Sequence, residues 1–337
     1  MRLYLKNAST HISHLGWPRV GYGAISKPWF RGGMSTRIAA IVVCLFACDG
    51  WFASKVVYGQ TSGMLTSAAA PSASRPVIDP NTLVLAALRH SVTGPPIACK
   101  VHQQSIAFDQ QVVLSGEYKS AGLGTGQFRY TARISSGETT VDTIQVSDGR
   151  LMHTQMGELN PTKIVNVEKI REAMASKIRR IDEHPEVYIH LAIGGQPEIL
   201  RSLYQKYHWY RSVEGKVGGV DVWQLLGKLR TEPPKLSGTA KIDKDTMALP
   251  ATTENLPSNV RLTLGRSSNM QYFPYLIEYF RIKKNNDGRA IGLEAVSKIE
   301  YGEPTLQPKI AETDFVYRCD VTVDKPEWET DLYLPAP

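Results

Sequence analysis

The chain has 337 residues, 42% hydrophobic and 21% charged, enough to bury a sizeable core in one or two globular domains. The formal net charge is +7, but residues 1–33 hold Arg2, Lys6, Arg19, Lys27 and Arg31 and no acid, so most of the excess sits in the leader. The body is near neutral, which excludes the electrostatic footprint of a nucleic-acid-binding protein.

Arg37 precedes an unbroken apolar run from Ile38 to Cys48, and Val57-Tyr58-Gly59 suits a signal peptidase cutting before Gln60. The run is too short for a helix across roughly 30 Å of hydrocarbon, and Asp49 ends it. Residues 1–33 therefore read as an over-extended start and residues 34–59 as a signal peptide that exports the chain to the periplasm or beyond. "LFAC", Leu45 to Cys48, is similar to a lipobox, which leaves a lipid anchor on Cys48 open. Residues 60–78 are rich in Ser, Ala and Pro and form a flexible linker to a domain over residues 79–335.

In the domain, Asp79 and Pro80 start a short helix through "NTLVLAALRH". Short strands come next in "IACKVHQQSIAF", "VVLSGEYKS", "GQFRYTARI", "TTVDTIQV" and "LMHTQM", antiparallel because their links are too short for crossovers. Gly122, Gly124 and Gly126 have the spacing G-x-G-x-G, not the G-x-G-x-x-G of a dinucleotide loop. They lead directly into the alternating strand "QFRYTARI", so no helix N-terminus faces the glycines and they turn the chain. Ile164, Val167, Ile170, Met174, Ile178 and Ile181 then recur every three or four residues, the stripe of a helix of about five turns that His184-Pro185 stops. A second helix runs through "GGQPEILRSLYQKYHW", with Leu200, Leu203, Tyr204 and Tyr207 on one side.

Strands return as a hairpin, "HWYRSVEG" with "VGGVDVWQLLGKLR", before a charged excursion from Thr231 to Asn255. "LPSNVRLTLGR", "YFPYLIEYFRIKK", "AIGLEAVSKIEYG" and "PKIAETDFVYRC" complete the strands, with Asn286-Asp287-Gly288 as a turn. The fold class is α+β, one antiparallel sheet with helices on one face.

Cys99 and Cys319 are the two cysteines of the body. An even, widely spaced pair in an exported protein suggests one disulfide, here tying the start of the sheet to its end; two buried free thiols is the alternative. Catalytic patterns are missing: there is no H-x-x-x-H, C-x-x-C or G-x-S-x-G, and Asp182-Glu183 beside Arg179-Arg180 reads as an exposed charge cluster. The expectation is a chain with no enzymatic activity, no metal and no cofactor.

"QYFPYLIEYF" alternates Phe273, Tyr275, Ile277 and Tyr279 against Tyr272, Leu276 and Phe280, a strand apolar on both faces and so covered on both. Phe128 and Trp223 are strand aromatics as well. Such positions build a packed core or line a cavity for an apolar ligand.

The order of elements resembles that of the LolA family of periplasmic lipoprotein carriers, and most nearly the LolA-like secreted proteins of planctomycete-type bacteria. The likeness runs from about Asp79 to Tyr333. It rests on "GEYKSAGLGTGQFRYTARI", "IQVSDGRLMHTQ", "LAIGGQPEILRSLYQKYHWY", "VDVWQLLGKLR", "LPSNVRLTLGRSSNMQYFPYLIEYFR" and "TDFVYRCD". It implies an unclosed antiparallel half-barrel with helices covering its concave face. It also implies a cavity for lipid or lipoprotein acyl chains, in a monomer. The lining would come from Phe128, Tyr130, Trp223, Phe273, Tyr275, Ile277 and Tyr279 on strands, and from Ile170, Met174, Leu203 and Tyr207 on helices. The alternative within the same fold is an envelope sensor or interaction module whose concave face is filled by its own side chains and which binds a protein partner.

Overall fold

The computed structural model describes residues 78–107, 110–158, 160–177, 186–230, 257–318 and 326–334. The segments read as over-extended start, signal peptide and linker to residue 77, the excursion after Arg230, and Cys319 lie outside the described residues.

Among the described residues twelve strands form one unclosed sheet. In chain order they are β1 (Ile97–Ala107), β2 (Gln110–Ser120), β3 (Gln127–Ser136), β4 (Thr139–Asp148), β5 (Leu151–Met156), β6 (Lys163–Asn166), β7 (Tyr207–Val217), β8 (Val220–Leu229), β9 (Asn259–Gly265), β10 (Pro274–Lys284), β11 (Ala290–Leu306) and β12 (Glu327–Trp328). The spatial order is β12-β6-β5-β4-β3-β2-β1-β11-β10-β9-β8-β7. Every pairing is antiparallel except the two-residue β12 against β6. The hairpin turns have the expected chemistry: Asp148 accepts from the N–H groups of Arg150 and Leu151 at 2.7 and 2.8 Å, and Gly218 and Gly219 supply positive φ between β7 and β8.

Among the described residues four helices accompany the sheet: α1 (Pro80–Thr93), α2 (Val167–Lys177), α3 (Glu186–Leu191) and α4 (Gly195–Lys206). Asp79 caps α1 through the Thr82 N–H at 3.1 Å, with Pro80 in the first turn. The helix expected from Ile164 starts three residues later. Ile164 is in β6, opposite His153, and the Asn166 side chain accepts from the Lys169 N–H at 2.8 Å, a cap that fixes where helix replaces strand. Ile178 and Ile181 lie outside the described residues. Tyr207, expected on the second helix, is the first residue of β7, which succeeds α4 without a loop.

The last expected strand is not a strand. Residues 307–318 form a strap with one 3-10 turn, Glu312–Phe315, lying against β3 and β4. Asp314 holds it by accepting from the Ala311 N–H at 2.8 Å and from Lys119 Nζ at 2.9 Å. Lys119 alternates with the buried Tyr118, so the strap runs over the face opposite the helices. Phe315 is buried under it, and Tyr317 stacks on His153 at 4.6 Å between ring centres.

Candidate functional site: the concave face

Alternate residues of the central strands form an apolar floor: Val112, Leu114 and Tyr118 on β2, Phe128, Tyr130 and Ile134 on β3, Leu262 and Leu264 on β9, and Ile277 on β10. Above it, Leu83, Val84, Ala87 and Leu88 of α1, Val167 and Ile170 of α2, and Leu200 and Leu203 of α4 are all 3% exposed or less. Together they make one contiguous buried cluster. The part α1 plays in the cover was not expected, although the helical spacing of its apolar residues in "LVLAAL" carries the signal.

The cover rests directly on the floor. Gly194 and Gly195 open α4 with φ of 71° and 55°. A Cβ at Gly194 would stand 2.4 Å from Met152 Sδ and 2.5 Å from Phe128 Cζ, and one at Gly195 would stand 2.7 Å from the Tyr118 ring. The same corner is pinned by polar contacts. Gln145 Oε1 accepts from the Gly195 N–H at 2.8 Å, and its amide nitrogen donates to Thr154 Oγ1 at 3.1 Å. Two small clefts mark the seam. One, of about 30 Å³, lies between α1, α4 and the glycine-rich loop; the other, of about 20 Å³, lies between α1, Gln196 and Tyr272-Phe273. Each has room for about one water molecule. The side-chain nitrogen of Gln196 is buried at the second without a hydrogen-bond acceptor.

The glycine-rich loop is built against anion binding. Gly122, Leu123, Gly124 and Gly126 all have positive φ. The N–H groups of Leu123 and Gly124 donate to the carbonyls of Gly94 and Val92 at 2.7 and 3.0 Å. The loop therefore meets the C-terminal, electronegative end of α1, and these donors are spent on carbonyls. Arg171 of α2 closes it from the other side, donating to the carbonyls of Gly124 at 3.1 Å, Gly149 at 3.2 Å, and Thr125.

Of the expected lining residues, Phe128, Tyr130, Ile170, Leu203, Tyr207, Trp223, Phe273 and Ile277 fall in the buried cluster, and Tyr275 and Tyr279 are packed partly against it. Met174 is buried outside the cluster. A register shift between Pro274 and Leu276 interrupts the alternation of β10, so Tyr275 is only half-buried while Ile277 is 0% exposed.

Cys99 is a buried free thiol, and burial pushes its pKa up to about 12, so it stays protonated. Its strand is central, between β2 and β11, and not at an edge. The expectation that Cys99 ties the sheet's edges is thereby corrected: the edges are β7 and β12. Burial likewise raises the phenol pKa values of Tyr118, Tyr130 and Tyr301, and Cys99 faces Tyr118 across the strand pair. Buried, protonated and facing the core, these groups offer neither a nucleophile nor a base. Among the described residues no three His, Cys, Asp or Glu side chains gather to hold a metal ion, and no helix is long and apolar enough to cross a membrane.

The unclosed, almost wholly antiparallel sheet with helices on its concave face agrees with the open half-barrel expected from the sequence. No family model matches the chain, and no curated protein matches it. Among solved structures, the Pseudomonas aeruginosa MucA/MucB complex gives a TM-score of 0.30 at 12% identity, over 71% of this chain and 61% of that one. A LolA superfamily protein of Nitrosomonas europaea gives 0.24 at 13%, over 71% and 98%. LprF of Mycobacterium bovis gives 0.28 at 12%, over 68% and 96%. The chain spans 61–63% of the length of the MucB chains it matches. Likeness at these scores bears on neither ligand nor activity.

Proposed function

We propose that this chain is a non-catalytic binding module of the cell envelope, which uses its concave face as its own core and engages a protein partner from outside. The observation that carries the proposal is the closure of that face. Ligand pockets enclose roughly 300–1,000 Å³, whereas the clefts under the cover hold about 30 and 20 Å³. A long acyl chain gains roughly 0.8 kcal/mol per methylene taken from water, but only if a space exists to receive it. The envelope location rests on the leader sequence.

An acyl carrier in a closed state is the second reading. It is favoured by one observation: both clefts lie along the seam between the covering helices and the sheet, where Gln196 leaves a buried amide nitrogen unpaired. Titration with a fluorescent fatty-acid analogue separates the two. The module shows no saturable uptake under native conditions. Saturable uptake, competed by unlabelled fatty acid, overturns the proposal in favour of the carrier.

A further inference from the structure

The hairpin of β10 and β11 extends past its neighbours. Pairing of β10 with β9 ends at Phe280 opposite Asn259, and pairing of β11 with β1 ends at Ser297 opposite Ser105. Among the described residues, 281–284 and 290–294 therefore pair only with each other, a two-stranded arm extending about 15 Å. A ribbon so free of support is expected to be polar, because the apolar side chains of a two-stranded arm have no second layer to pack on.

This one is not. Ile282 is 43% exposed and sits opposite Leu293 at 57%, and Ile291, at 58%, occupies the neighbouring bulge. Large apolar side chains scattered singly over a surface need no explanation, but three adjoining ones on a projecting element do. The charges interleaved with them are mostly positive. Arg281 is engaged with Glu294 across the ribbon at 2.9 Å, which leaves Lys283, Lys284 and Arg289 against Asp287 alone. The tip, Asn285-Asn286-Asp287-Gly288, is a tight polar turn in which Gly288 adopts φ of 77°.

We propose that this arm docks on an anionic lipid surface, lying along it with Ile282, Leu293 and Ile291 at the acyl boundary. Lys283, Lys284 and Arg289 then stand at the level of the lipid phosphates, and the polar turn stays hydrated. Apolar burial alone by three partly exposed side chains is weak, as is attraction by three cations; interfacial binding arises where both act on one element. A purely polyanionic partner would leave the apolar trio unused, and a purely apolar one would leave the cations desolvated without partners.

The test is co-sedimentation of the exported chain with vesicles of phosphatidylcholine alone, and with vesicles of phosphatidylcholine and phosphatidylglycerol in equal parts. Binding is expected on the anionic vesicles and at most a trace on the neutral ones, with loss at high salt. Each cation contributes roughly fivefold to the partition coefficient, so Lys283→Gln, Lys284→Gln and Arg289→Gln together should lower it roughly a hundredfold. Ile282→Ser, Ile291→Ser and Leu293→Ser together should abolish binding while leaving the thermal melt unchanged, since all three positions are exposed. No binding to anionic vesicles, equal binding to both kinds, or binding that survives both triple variants overturns the proposal.

Discussion

Arg171 bridges two neighbouring loops at the end of the β3–β4 ladder, where Gln127 pairs with Asp148. Its guanidinium reaches the carbonyls of Gly124 and Thr125 in the β2–β3 connection and of Gly149 between β4 and β5. Burial lowers its pKa, with Glu168 opposing, yet it stays charged at any physiological pH because an arginine starts so high. Removing it leaves these carbonyls short of a donor. Arg171→Leu is therefore expected to destabilise the fold by about 1–3 kcal/mol in urea unfolding, and an unchanged midpoint would contradict the role. Gly126→Ala should act in the same direction, because a Cβ there would stand 2.2 Å from the Arg171 guanidinium and φ is 70°. The glycines announced a turn in the sequence, and the strand directly after them ruled out a phosphate loop. The arginine that closes the turn was not legible, because it lies 45 residues beyond Gly126 and only tertiary packing brings them together.

At the scale of elements, strands and helices with strong local signals were readable and those set by distant contacts were not. Alternation marked β3, and capping residues marked α1. The β6–α2 boundary was missed because Ile164 satisfies both a helical stripe and a strand pairing, and the pairing with β5 decides. The strap after β11 reads as the last strand in the sequence, but Phe315 and Tyr317 pack singly against the sheet's outer face. This strap carries a pH dependence. Burial holds the His153 pKa below its ordinary value, and the same holds for His90 on α1. Such groups are neutral in the fold and bind protons more readily when the chain unfolds. Stability is thus greatest above the ordinary histidine range and falls as the pH drops below about 6.5. Asp148, the nearby charge acting on His153, opposes the shift without reversing it. Melting temperature should therefore fall between about pH 7 and pH 5, and His153→Phe, which keeps the stacking on Tyr317, should flatten the slope in part. An identical slope in the variant would remove His153 from the account.

For the whole molecule, the question is whether the concave face is a core or a container. Most of the candidate residues were legible, since Phe128, Ile170, Leu203 and Ile277 do gather on one face beneath the helices. Whether space remained among them was not legible, because apolar periodicity reports which side is covered and not how tightly. The paired glycines at Gly194 and Gly195 supply that detail: lacking Cβ atoms, they bring the start of α4 down onto Phe128, Met152 and Tyr118. The most direct measurement is the thermal unfolding of Ile277→Glu beside its uptake of a fluorescent acyl probe. Ile277 is fully buried, and a carboxylate placed there finds no partner. A filled core predicts loss of the cooperative melt. A variant that melts like the wild type but has lost saturable uptake present in the wild type would show a container, and would contradict the account.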